Sequence, residues 1–365
     1  MTRSLRQSPG WATATGGHGG GRAGGGDHGA ARSEAAGLHG AHLTASENHI
    51  MKPKQKVLAC AAGLAAAMTL SAATVDTASG NEPAASKSAG CPGSLDILLT
   101  NDDGYAAPGI NALYEALRKA GHHVTMVAPL TNQTGKGGSI AYSGTLGVTH
   151  PVPGDNDIWA VDGTPADAVA FGIATVFADR APDLVVSGTN SGTNLSLTTN
   201  HSGTLGAATA ALDRGVPAIA VSTAHPAEFD RDWDGAGGPD FAGTASLTER
   251  IVGTVQRTAT DCDHLMPRHE GLNVNYPSIK YRGVREAEFG DIDTIPTTYT
   301  QDGEGKYTVG YDLSPLQDAA EGTSGRTTVD YELVARGYAS ITPLDGSLSA
   351  TKDSGFVGGL VGALG

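Results

Sequence analysis

The chain has 365 residues, with 24 Lys and Arg against 38 Asp and Glu, and a formal net charge of −14. That length allows one large or two modest domains, and the acidic balance excludes a nucleic-acid-binding surface, which needs clustered basic residues. An acidic protein that handles a phosphate would want a cation to offset the repulsion.

Residues 1–50 are dominated by Gly, Ala, Ser and His, with the run Gly16-Gly17-His18-Gly19-Gly20-Gly21 as the extreme. A stretch with so little periodic apolar character cannot bury enough surface to offset its ordering entropy, so disorder is expected. The alternative is an upstream start codon, because Met51 begins a better-formed N-terminus. Residues 51–73 read as a secretory signal peptide: Lys52, Lys54 and Lys56 form a basic segment, Val57 to Ala73 an apolar one, and Ser71-Ala72-Ala73 a small-residue cleavage site. This apolar run sits at the bottom of the length range for a spanning helix, which favours a cleaved signal over an anchor and predicts a secreted or extracytoplasmic protein with no stable membrane span. Cleavage leaves Cys91 and Cys262, which an oxidising compartment permits to pair; two free thiols are the alternative.

Residues 74–93 form a polar Ala/Ser/Gly linker, and the ordered domain is expected over 94–345, followed by a flexible tail over 346–365. The apolar run Asp96-Ile97-Leu98-Leu99 predicts a first strand that ends in Thr100-Asn101-Asp102-Asp103-Gly104. Ile110, Leu113, Leu117 and Ala120 then fall at helical spacing, with Gly121 as the stop. Further strands are predicted over 124–128, 157–161, 182–188 and 216–222, and helices over 165–177, 202–214 and 245–259. Beyond Gly271 the pattern turns to strand and loop, including 338–344. Strands alternating with helices predict an α/β fold with a parallel sheet and a ligand crevice at the strand C-termini. Between them, Asp230, Asp232 and Asp234 before Gly235 match the first half of a calcium loop, but the closing position is Phe241, with Asp240 one residue early. A solvated insertion is the simpler reading, and a weak calcium site stays open. His122-His123 reads as a pair serving the end of the preceding helix.

Four loops carry chemistry. Asp102 and Asp103 are adjacent carboxylates immediately after a strand, hard oxygen ligands suited to Mg²⁺ or Mn²⁺; capping of the next helix explains only one of them. The Gly-rich loop 128–139 offers hydroxyls and backbone N–H groups to an anion or metal, or is a plain connection. In 187–194, amide side chains could ligate a metal through oxygen and hold a phosphate through nitrogen, although Asn and Gly are also common turn residues. Finally, Ser202-Gly203-Thr204 opens a helix whose N-terminus favours anions, with Ser202 also serving as a plain N-cap. There is no Gly-x-Gly-x-x-Gly after the first strand, no P-loop and no Gly-x-Ser-x-Gly elbow.

With these loops in order, residues 94–344 resemble the SurE survival-protein family of metal-dependent nucleotidases and phosphatases. The matching blocks are Leu99-Thr100-Asn101-Asp102-Asp103-Gly104, Ala128-Pro129 with Asn132-Gln133-Thr134-Gly135, Asp162-Gly163-Thr164-Pro165-Ala166-Asp167 and Ser187-Gly188-Thr189-Asn190. They continue through Ser202-Gly203-Thr204, Leu272-Asn273-Val274-Asn275 and Ser340-Ile341-Thr342-Pro343-Leu344. The resemblance implies a Rossmann-like three-layer fold with a smaller β-rich C-terminal part that can exchange segments in a homodimer. It implies Asp102, Asp103, Thr134 and Asn190 as metal ligands, and Asn194, Ser202, Gly203 and Thr204 at the phosphate. Thr134 stands where the family usually has Ser, and His201 where it usually has Tyr; both changes bear on substrate preference. The expected activity is metal-dependent hydrolysis of phosphomonoesters, nucleoside 5′/3′-monophosphates above all, with Asp102 assisting deprotonation of water. The alternatives are a broad acid phosphatase or exopolyphosphatase, and, in another class, an exported phosphate-binding protein without turnover.

Overall fold

The computed structural model describes residues 90–322 and 328–346. The low-complexity stretch 1–50, the signal segment 51–73, most of the 74–93 linker and the tail beyond Gly346 lie outside the described residues.

In chain order the elements are β1 (Asp96–Thr100), α1 (Pro108–Lys119), β2 (His123–Pro129), β3 (Gly147–Thr149), β4 (Ile158–Asp162) and α2 (Pro165–Phe171). β5 (Leu184–Ser191), α3 (Gly203–Leu212), β6 (Ala218–Thr223), the short α4 (Pro226–Phe229), α5 (Phe241–Thr258) and β7 (Glu270–Tyr276) follow. The C-terminal part contains β8 (Gly283–Glu286), β9 (Thr297–Gln301), β10 (Tyr307–Tyr311), α6 (Ser314–Ala320), α7 (Asp330–Ala335) and β11 (Tyr338–Asp345). Nine strands form one sheet in the order β3-β4-β2-β1-β5-β6-β7-β11-β8, and β9 and β10 pair as a separate hairpin.

Six neighbouring strands, from β4 across to β7, are parallel, while β3 and β11 run antiparallel to β4 and β7. The expected α/β architecture is therefore present, with a mostly parallel sheet. Burial on both faces explains why its strands read as continuous apolar runs. In β1, Ile97 and Leu99 join the core that includes Ile110, Leu113 and Leu117 of α1 and Ile251 and Val252 of α5. Leu98, pointing the other way, joins the core with Val169 of α2 and Leu205, Ala208 and Leu212 of α3. A third cluster, including Leu195, Phe229, Leu316 and Val334, packs the segment after β5 against α4, α6 and α7.

Strand order reverses between β1 and β5: β1 leads outward through β2 and β4, β5 through β6 and β7. Open α/β sheets bind ligands at such a switch point, outside the strand C-termini. Asp102 and Asp103 leave β1 there, and Asn190 and Ser191 end β5 beside them.

Several boundaries differ from the sequence reading. The predicted helix over 165–177 keeps α geometry only to Phe171 and continues as a π turn over Gly172–Val176. Strand β5 runs on to Ser191, into a segment that reads as loop by its Asn and Gly content. Two helices, α6 and α7, stand in the part expected to be strand and loop. Helix α5 begins at Phe241, because Asp240 caps it by accepting a 2.8 Å bond from the Gly243 N–H. The calcium-like stretch is spent on local turns: Asp230 accepts from the Asp232 N–H and Asp234 from the Ala236 N–H, each at 2.9 Å. Among the described residues no three His, Cys, Asp or Glu side chains gather as a metal-holding group. The His122 side chain accepts from the Leu95 N–H and that of His123 pairs with Asp96, so both side chains serve the N-terminal ends of the central strands β1 and β2, while only the His122 main chain bonds the end of α1, at the Leu117 carbonyl. Among the described residues no helix is long and apolar enough to cross a membrane.

Cys91 and Cys262 form a disulfide with their Cα atoms 5.4 Å apart and a sequence separation of 171. The Cys91 N–H also donates to the Gln256 carbonyl, and Gln256 Nε2 to that of Gly93, so the chain ahead of β1 is fastened to the end of α5. Closing so long a loop restricts the unfolded chain, and reduction or Cys91→Ser is expected to lower the unfolding free energy by about 2–5 kcal/mol. Urea denaturation with and without a reductant measures this; a midpoint that does not move would mean that the pair contributes nothing.

Candidate active site

The turn after β1 builds itself from its own sequence. Asn101 donates through Nδ2 to the Gly104 carbonyl at 2.9 Å and accepts from the Gly104 N–H at 3.2 Å. Gly104 has φ +102°, a conformation that residues with a side chain rarely adopt, so the glycine is what lets the chain reverse there. The reversal leaves Asp102 and Asp103 at the mouth of the sheet.

Each carboxylate is bonded to the surrounding loops. Asp102 Oδ1 accepts from Thr204 Oγ1 at 2.8 Å, and its main-chain carbonyl accepts from the Gln133 N–H at 2.6 Å. Asp103 Oδ1 accepts from Asn132 Nδ2, and Oδ2 from the Ser191 N–H, both at 3.1 Å. The four loops singled out in the sequence therefore converge on the aspartate pair. Gly203 sits against Asp102 so closely that a methyl group there would collide with the Asp102 side chain.

Burial pushes both carboxyls above the ordinary aspartate range. For Asp103 the charge of Asp102 adds to the effect of burial, and together they push it up to about 6. Compensation comes from hydrogen bonds: Thr204 and the start of α3 for Asp102, the Ser191 N–H and Asn132 for Asp103. Two close carboxylates ringed by neutral oxygen and amide groups are a donor set that fits a hard divalent cation.

The remaining expected ligands lie around this pair. Thr134 is exposed on the second loop, its N–H donating to Asn132 Oδ1, so it is one residue link away from Asp103. Asn190 donates through Nδ2 to the Gly192 carbonyl at 2.9 Å, which commits its nitrogen and leaves Oδ1 as the atom able to ligate a cation. Ser202 caps α3 by accepting from the Leu205 N–H at 3.3 Å, while Gly203 and Thr204 form the first turn. Asn194 is buried with its Nδ2 bonded to Ser222 Oγ at 2.9 Å, so its side chain is already engaged inside the protein.

Other residues hold these loops without having been singled out for it. Asn132 belongs to a matching block but had no assigned role. Glu228 of α4, fully enclosed, accepts from the Thr193 N–H at 2.9 Å and from the His225 N–H at 2.9 Å. Asp330 accepts from the Ser196 N–H at 2.7 Å and the Ser196 hydroxyl at 3.0 Å. Asn273 and Asn275 alternate in β7 on the face opposite Leu272 and Val274; two amides on one face of a buried strand are the signal that could have found them.

The family model described as Survival protein SurE matches residues 97–296. The chain is 36% identical over 267 residues to a protein of Methanocella arvoryzae described as 5′-nucleotidase SurE, covering 71% of this chain and 94% of that one. It is also similar to the crystal structure of the SurE protein from Aquifex aeolicus, with a TM-score of 0.58 and 31% identity over 73% of this chain and 99% of that one.

Burial pushes the Glu228 carboxyl up to about 7 from an ordinary value of 4.5. The folded state therefore binds more protons than the unfolded one across that window, and stability falls as pH rises through it. Relative to wild type, Glu228→Gln should flatten the loss of stability between pH 5 and 8, a difference on the order of 3 kcal/mol. Urea midpoints of the two proteins across that range measure it, and parallel curves would contradict the assignment.

Proposed function

The chain belongs to the SurE survival-protein family, and from that premise we propose that it hydrolyses phosphomonoesters with a divalent cation, nucleoside 5′- and 3′-monophosphates being its substrates. The observation that carries this reading is the Asp102–Asp103 pair at the switch point, bonded by Thr204 and Ser191 to the start of α3 and the end of β5. The cation, Mg²⁺ or Mn²⁺, would be held by the carboxylates of Asp102 and Asp103, the Thr134 hydroxyl and Asn190 Oδ1. What such a cation supplies is neutralisation of phosphoryl charge and acidification of water.

The protein's own groups do the rest. Thr204 Oγ1 fixes the Asp102 carboxylate through Oδ1, and the carboxylate so oriented would assist deprotonation of the attacking water. The N-terminal turn of α3, at Ser202, Gly203 and Thr204, would bring the positive end of the helix to the reacting phosphoryl group. Asn194, whose side chain is held by Ser222, would bear on the phosphate through the course of the segment that leads to this turn. The missing side chain at Gly203 keeps the distance between this helix start and Asp102 short.

Export is part of the proposal. It is supported by the basic-apolar-small pattern over residues 51–73 and by the pairing of Cys91 with Cys262, which persists in oxidising compartments.

Phosphate release from a panel of nucleoside monophosphates, a generic aryl phosphate and polyphosphate, with and without EDTA, tests the function. The expected outcome is turnover of nucleotides that EDTA abolishes and Mg²⁺ or Mn²⁺ restores. Asp102→Asn should lower kcat by about 100-fold or more at saturating metal. Undiminished turnover in that variant would remove Asp102 from its role, release from polyphosphate alone would point to an exopolyphosphatase, and binding without release to a phosphate carrier.

A further inference from the structure

Where β5 leaves the sheet, its backbone must still find hydrogen-bond partners, since buried N–H and C=O groups left alone are costly. The Gly192 N–H finds one in the Thr223 carbonyl of β6 at 2.9 Å. The next donors turn to side chains instead of a strand: the Thr193 N–H to Glu228, the Asn194 N–H to Asn275, the Ser196 N–H to Asp330. Three buried side chains from α4, β7 and α7 thus replace a missing neighbouring strand.

Of the three, Asn275 grips both polar groups of one residue. Its Oδ1 accepts from the Asn194 N–H at 2.8 Å, and its Nδ2 donates to the Asn194 carbonyl at 2.9 Å. A side-chain amide carries the same donor and acceptor as a peptide group, so this contact reproduces one hydrogen-bonded pair of an antiparallel ladder. Asn273 Nδ2 adds a second donor to the Asn194 carbonyl at 3.0 Å. Asn275 is fully buried and lies in register with Ser222 of β6 and Ser340 of β11, so the sheet fixes its position. It also carries no titratable group, unlike Glu228 and Asp330, and grips the main chain equally at any pH.

We propose that Asn275 is a positioning residue for the hydrolytic site: its amide clamps the main chain of Asn194 and so fixes the segment beyond Ser191, up to the Ser202 start of α3, relative to Asp102 and Asp103. The proposal rests on the phosphomonoesterase reading for its kinetic consequence, and on the hydrogen-bond geometry alone for the clamp. Asn190 and Ser191 are held by their pairing with Ser222 and Thr223 of β6, so loosening the segment beyond them displaces groups on the phosphate side and leaves Asn190 and the aspartate pair in place. Binding of substrate is therefore affected more than the chemical step, and small misplacements of binding groups are costly.

The test compares Asn275→Ala with Asn273→Ala in the full chain. In Asn275→Ala, hydrogen exchange over 191–202 should accelerate by about tenfold or more, KM for a phosphomonoester and the inhibition constant of inorganic phosphate should rise about tenfold, and kcat should stay within about threefold. Asn273→Ala, which leaves both bonds of the Asn275 clamp intact, should change each of these by less than about threefold. Unchanged exchange in Asn275→Ala, a fall in kcat at constant KM, or equal effects of the two variants would overturn the proposal. Should Asn275→Ala not fold, Asn275→Ser, which keeps one polar atom, is judged by the same criteria. If wild type releases phosphate from no phosphomonoester, the functional reading fails, and the exchange measurement still decides whether the clamp exists.

Discussion

Two carboxylates side by side at the end of a buried strand repel each other and have lost most of their water, and the loops around them are arranged to answer that cost. Asp102 takes a hydroxyl from Thr204 and the start of α3; Asp103 takes the Ser191 N–H and the Asn132 amide. Each bond to a charged group stabilises by about 1.5–3 kcal/mol, so four loops distant in sequence are drawn to one point. The same demand accounts for two glycines: Gly104 lets the chain turn back beneath the pair, and Gly203 lets a helix start approach Asp102 without a side chain in between. A site that stays this acidic is prepared for a cation, and it is the geometry of the loops, not of the pair alone, that determines where a phosphate could lie.

Much of this was legible in the residues because it is local. The run Ile97-Leu98-Leu99 identifies a strand buried on both faces, and Asn101, Asp102, Asp103 and Gly104 show how it ends. The alternation of such runs with helix-spaced apolar residues gives the layered sheet and, with it, the crevice. What was not legible depends on contacts between distant parts of the chain. Glu228 reaches Thr193 across 35 residues and Asp330 reaches Ser196 across 134, and neither acid lies in a pattern that distinguishes it from a surface carboxylate. The stretch around Asp230 shows the opposite failure: alternating acids that resemble a cation loop are consumed by turns two residues long. Asp240, one residue short of the closing position, caps α5 instead.

The part of the chain after β7 has two roles. Strands β11 and β8 extend the sheet, and α6 and α7 build the third apolar cluster over the segment that follows β5. Leu195 is fully buried in that cluster, next to the Asn194 main chain that Asn275 and Asn273 hold and the Ser196 N–H that Asp330 holds. Apolar packing and hydrogen bonding thus act on the same few residues, which stiffens the connection between the end of β5 and the start of α3. The C-terminal part supports the site although none of the proposed ligands belongs to it.

The disulfide encloses a covalent ring running from Cys91 to Cys262. Every residue proposed to touch metal or phosphate, from Asp102 to Thr204, lies inside that ring, whereas Asn275 and Asp330 lie outside it. A protease in the surroundings that cut an exposed site loop, such as the one carrying Thr134, would open the ring without separating its halves. The nicked molecule would keep both carboxylates and the α3 helix start on one covalently joined body, so that loop cleavage and loss of the site become separate events.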